Sequence, residues 1–208
     1  MFKLMKRYYF ILSLIIFSCS SGQEKEGYEN AVILETIVLP KVINETSGLE
    51  IINEVFITHN DSGGEPSLYF FNLSGEITNS KKLEEESFWE IYNNDWEDIT
   101  ADKDYIFIAD TGNNFGNRDN LNIIKVRTSD FSVESKIDIS YEDQQTFLPR
   151  PKHKYDAEAL FLIEDKIAVL SKDRSNLFTD LYLIDKDKGN IVRITDLFLN
   201  YKEKKRKN

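Results

Sequence analysis

Asp95-Trp96-Glu97-Asp98 places three carboxylates within four residues, and Asp156-Ala157-Glu158 places two within three. Carboxylates held this close repel one another unless a cation or protons neutralise them. Ca²⁺ is the natural partner, because it takes about six to eight oxygen ligands from carboxylates, carbonyls and water. Asp95, Glu97, Asp98, Asp156 and Glu158 are therefore candidate metal ligands. The plainer alternative is that Glu97 and Glu158 only accept bonds from neighbouring backbone amides at a strand entrance.

A second polar set sits in turn-forming strings. His59-Asn60-Asp61-Ser62-Gly63-Gly64 and Asp110-Thr111-Gly112-Asn113-Asn114 offer oxygen ligands in sequences suited to tight turns. The third such string is Lys172-Asp173-Arg174, which mixes signs. Cations beside carboxylates suit a phosphate or carboxylate ligand, or they form ion pairs on a wet surface. His59, Asp61, Asp110, Asn113, Arg118, Lys172, Asp173 and Arg174 are the candidate rim residues.

Both sets are carried by one recurring unit. ETSGL (45–49), DWEDI (95–99) and DAEAL (156–160) each open a run of apolar, β-branched segments. The second segments are EVFITHND (54–61), YIFIADTGNN (105–114) and KIAVLSKDRS (166–175). The third are SLYFFNLSG (67–75), LNIIKVRT (121–128) and DLYLIDKDKG (180–189). Leu49, Ile99 and Leu160 stand 50 and 61 positions apart. An all-β unit repeating at that period is the signature of a propeller, one four-stranded blade per repeat. The first strand of a blade lines the central channel, so acids at its start would converge there. The expected fold is all-β, a β-propeller with about three blades visible over 31–200, as an incomplete or open ring. Three blades leave unpaired edges, which predicts a truncated member or closure with another chain. AVILETIVLP (31–40) reads as a strand before the first repeat, LEEESFWEIYNND (83–95) as room for one helical turn, and LFLN (197–200) as the start of a strand.

The termini have separate jobs. Lys3, Lys6 and Arg7 precede a short apolar run, Tyr8 to Phe17, too short to span a bilayer. Ile16, Ser18 and then Cys19 match a bacterial lipobox, so 1–18 reads as a lipoprotein signal peptide and Cys19 as the lipid-attachment residue. The alternative is an ordinary signal peptide that happens to end near a Cys. Residues 19–30 read as a tether and 201–208 as a charged, solvated tail. These features place the protein at the bacterial envelope, as an outer-membrane lipoprotein facing the periplasm or the surface. It would be held to the membrane through acylated Cys19, since two or more acyl chains anchor stably.

Composition excludes several functions. Cys19 is the only cysteine, which removes a disulfide, a Cys nucleophile and a thiolate metal site from the body. A formal charge of −10 argues against a nucleic-acid partner. No His-x-x-x-His, G-x-S-x-G, P-loop or G-x-G-x-x-G string occurs.

The strings THNDSG (58–63), LYFFNLSGEI (68–77), NDWEDIT (94–100), IADTGNN (108–114) with Arg118, YDAEAL (155–160) and LSKD (170–173) together resemble a family of exported bacterial propellers. They are described as phytase-like or esterase-like and are related to the SdiA-regulated proteins. The resemblance runs over 45–190. It implies a six-bladed-type propeller with acids around its channel, bound Ca²⁺ and hydrolysis of phosphate esters. Three functions stay open. One is a Ca²⁺-stabilised module that binds a small molecule or a protein at its rim. Another is a metal-dependent phosphoesterase with Lys172 and Arg174 clamping the substrate, and the third is an inactive truncated relative. No catalytic residue is assigned.

Overall fold

The structure, a computed structural model, describes residues 32–84, 91–176, 178–187 and 191–193. The signal, Cys19, the tether, LFLN and the charged tail lie outside these residues. The chain divides into two units, Met1–Thr36 and Ile37–Asn208, and every described strand belongs to the second.

Twelve described strands form three four-stranded antiparallel sheets, and no helix occurs among the described residues. Sheet 1 holds β1 (Thr46–Ile52), β2 (Val55–Asn60), β3 (Ser67–Phe71) and β4 (Ile77–Lys82). Sheet 2 holds β5 (Trp96–Ala101), β6 (Tyr105–Asp110), β7 (Asn122–Arg127) and β8 (Val133–Asp138). Sheet 3 holds β9 (Asp156–Ile163), β10 (Lys166–Lys172), β11 (Thr179–Asp185) and β12 (Ile191–Arg193). Each is a meander in chain order. The β1–β2 hairpin is tight: Asn53 and Glu54, both at positive φ, form its two-residue turn, which suits strand twist.

The nine apolar segments of the repeat became the first three strands of each sheet. The fourth strands were not legible, since Ile77–Lys82 is polar and mostly exposed and Val133–Asp138 is polar with only Ile137 buried. The strand expected at 31–40 is absent over 32–40. Pro40 lacks an amide to donate, and Leu39 and Ile43 instead lay side chains against Tyr69 and Phe71 on the outer face of sheet 1. No helical turn occurs over 91–95; the rest of that expectation falls on 85–90, outside the described residues.

Apolar side chains cover both faces of the central sheet. Ile57, Leu68 and Phe70 of sheet 1 meet Trp96, Ile99, Ile106 and Ile108 of sheet 2. Phe107, Ala109 and Ile123 on the opposite face of sheet 2 meet Ala157, Leu160, Val169 and Tyr182 of sheet 3. Trp96 is fully buried, and its indole N–H donates to Tyr92 O at 3.2 Å. The first strands β1, β5 and β9 are neighbours in that order.

Candidate acidic cluster at the strand entrances

Each first strand carries the same irregularity. Pairing with the second strand slips between Thr46 and Leu49 in β1 and between Trp96 and Asp98 in β5. In β9 it slips where Ala157 and Ala159 face Ser171 and Leu170. Ser47, Glu97 and Glu158 stand at these equivalent slips. A bulge residue escapes the alternation of the strand, and bulges re-aim side chains at strand ends. Ser47 turns across to β5, its hydroxyl donating to Trp96 O at 2.6 Å. Glu97 and Glu158 turn toward the strand entrances.

Five carboxylates converge there from all three sheets. Asp61, Asp95 and Glu97 bring one oxygen each to within 4.8 Å of one another, and so do Glu97, Asp156 and Glu158. Glu97 belongs to both groups. Gly112 makes room for this approach: a Cβ there would overlap the carboxyl groups of Asp95 and Glu97.

The electrostatics follow from crowding and partial burial. Glu97 is pushed up to about 8, by burial first and then by Glu158, Asp95, Asp61 and Asp156. Asp95 is pushed up to about 6, by burial and then by Asp61. Burial also raises Glu158, against the pull of Lys172. Asp61 Oδ1 is enclosed and accepts no hydrogen bond. An orphaned buried oxygen costs free energy that a bound cation would recover. The donor set is all carboxylate oxygen, which suits a hard cation such as Ca²⁺.

Two cations flank the acids. Arg174 bonds to Asp156 Oδ2 at 2.6 Å and lies 3.8 Å from Glu158. Lys172 Nζ sits 2.5 Å from Glu158 Oε1. Asp156 also accepts from Asn113 N at 2.7 Å, so its position is fixed from two sides.

The remaining candidates hold the framework. Asp98 is not in the cluster: its oxygens accept from Ile99 N and Leu160 N, both at 2.8 Å, tying β5 to β9. Burial raises its carboxyl, and those two amides oppose the rise. Asp110 is saturated by Arg118, Asn94, Asn122 and the amide of Asp95. Arg118 also donates to Gly112 O at 2.7 Å and so braces the turn beside the cluster. Asn113 donates to Tyr155 O at 2.9 Å. Asp173 accepts from Ser175 N at 2.7 Å and closes a turn. His59 is buried edge-on to Trp96 at 5.5 Å, and burial holds it below the usual histidine range. It is a neutral core residue.

Sequence reasoning placed Asp61 on the rim without joining it to the cluster, and it missed Gly112. The acid in HND and the glycine in ADTG were the available signals.

No family model matches the chain, and no curated protein does. Among solved structures, the computationally designed Ika4 protein has a TM-score of 0.41 at 10% identity, over 78% of this chain and 79% of that one.

Proposed function

We propose that the three sheets are propeller blades of a lipid-anchored bacterial envelope module, and that its acidic cluster binds a divalent cation of the Ca²⁺ type. One observation carries the cation site: Glu97, set at the bulge of the middle sheet, is shared by two carboxylate groups built from three sheets. The repeated meander and the adjacency of β1, β5 and β9 support the propeller reading. Ile16, Ser18 and Cys19 support the anchor. The cation would clamp the three strand entrances together, and the rim beside it would recognise a small molecule or a protein.

A second reading has its own support. Pro151, Lys172, Asp173, Arg174, Phe178 and Thr179 line a cavity of about 470 Å³ beside the cluster. A phosphate ester held there would lie next to the cation. Both cationic side chains already engage Glu158 and Asp156, which favours the binding module over the esterase.

The test is thermal unfolding of the full chain with millimolar Ca²⁺ against EGTA, beside hydrolysis of a chromogenic phosphate monoester. A cation that binds only the folded state raises the midpoint by mass action. Raised stability without hydrolysis supports the binding module, and hydrolysis lost in Glu97→Gln supports the esterase. An unchanged midpoint rejects the cation site.

A further inference from the structure

Three loops on the entrance side of sheets 2 and 3 are tied into one surface by their backbones. Arg150 N donates to Phe115 O at 2.8 Å, joining the loop after β6 to the segment before β9. Arg174 N donates to His153 O at 2.7 Å, joining that segment to the loop after β10. Asp173 N donates to Phe178 O at 2.9 Å and closes the last loop. Buried His153 also packs against the first loop, where a Cβ on Gly116 would meet its ring at 2.9 Å. Hydrogen bonds and packing therefore fix the frame.

This fixed frame presents large apolar side chains to solvent. Phe115 is 60% exposed, Phe147 43%, Leu148 74% and Phe178 70%. Three of the four exposed phenylalanines among the described residues stand on these loops, so they are grouped here instead of scattered singly over the surface.

Charge marks the same place independently. Residues 147–154 carry Arg150, Lys152 and Lys154 and no acid, in a chain of formal charge −10. Lys154 pairs with Asp143. Arg150 lies over the Tyr155 ring at 5.6 Å, and Lys152 is exposed. Neither has an ion-pair partner among the described residues.

We infer that this surface docks onto an anionic lipid membrane. Phenylalanine and leucine side chains on loops can enter the boundary between headgroups and acyl chains without taking the sheets with them. Arg150 and Lys152 stay at headgroup level, where anionic lipids attract cations close to the surface. Four apolar side chains fall short of the roughly 800 Å² per partner that a stable protein complex buries, so a membrane suits them better than a protein. The docking depends on neither the cation nor an acyl group. With Cys19 acylated as proposed above, it would set which end of the sheets meets the bilayer.

Co-sedimentation with vesicles tests it, using the full chain with Cys19→Ser so that no acyl group contributes. One set of vesicles mixes phosphatidylglycerol with phosphatidylethanolamine, and the other is phosphatidylcholine alone. The apolar run at 8–17 is present in every variant, so differences between variants read the loops. The expected result is at least tenfold stronger binding to the anionic vesicles, weakening as salt is added. Phe115→Ser combined with Leu148→Ser should lower that binding at least tenfold. Lys152→Glu should lower it severalfold on anionic vesicles alone. Circular dichroism and thermal unfolding are the fold controls, and Leu148→Ser alone, at the most exposed of the four positions, replaces the double variant in case its cooperative transition is lost. Binding unchanged in the variants, no preference for anionic vesicles, or no binding at all would overturn the inference. Self-association in vesicle-free buffer that the double variant abolishes would overturn it in favour of a protein contact.

Discussion

Asp98 Oδ2 accepts the amide of Leu160 at 2.8 Å, so one side chain joins the first strand of sheet 2 to that of sheet 3. Glu50 does the same one sheet earlier, accepting Ala101 N at 3.0 Å. First strands in neighbouring sheets do not share a ladder, and these carboxylates take up amides that would otherwise lack partners. Asp98→Ala removes this link. We expect a loss of about 1–3 kcal/mol, the cost of stranding buried amides, with Ca²⁺ affinity little changed. Urea unfolding and calcium titration calorimetry check the two halves.

Glu97→Gln should do the opposite. It removes the charge shared by both carboxylate groups and the repulsion that raises Glu97. Metal-free protein should become more stable, while Ca²⁺ affinity drops roughly tenfold or more, each tenfold being about 1.4 kcal/mol. Calorimetry that finds unchanged affinity would remove Glu97 from the site.

The pH dependence has a definite sign. Glu97 binds its proton more tightly when folded, at about 8 against an ordinary 4.5. Its contribution to stability is fully present below pH 4.5 and is lost as pH rises through about 8. Asp95, raised to about 6, acts in the same direction within that window. In EGTA the unfolding midpoint should therefore fall between acid and mildly basic pH. Millimolar Ca²⁺ should flatten or reverse the slope, because it favours the ionised acids.

Two glycine substitutions separate site from scaffold. A Cβ at Gly112 would overlap only the carboxyls of Asp95 and Glu97 at its three nearest atoms, so Gly112→Ala should weaken Ca²⁺ binding more than folding. A Cβ at Gly48 would meet Ile99 N at 2.8 Å and the His59 ring, so Gly48→Ala should cost stability first. Side-by-side melts and titrations of the two variants check this.

The repeat was legible because each sheet is a meander whose buried strands write their burial into apolar side chains. The fourth strands left no such mark: ITNSKK packs on one edge and faces water. Asp98, one residue past the bulge, is taken up by the amides of Ile99 and Leu160, and grouping all three acids by proximity overlooked it. The common slip at Ser47, Glu97 and Glu158 was not readable, because it shows only against a paired strand. Asp61 joins the cluster across a sheet boundary, which linear spacing does not report.

The acidic cluster draws on all three sheets, whereas every described strand pairs only with its neighbours in sequence. Hairpins of this kind close short loops and can form early. The cluster exists only once the sheets have docked. A cation bound there arrives too late to guide assembly and acts as a lock on the finished array: it should slow unfolding while leaving the refolding rate almost untouched.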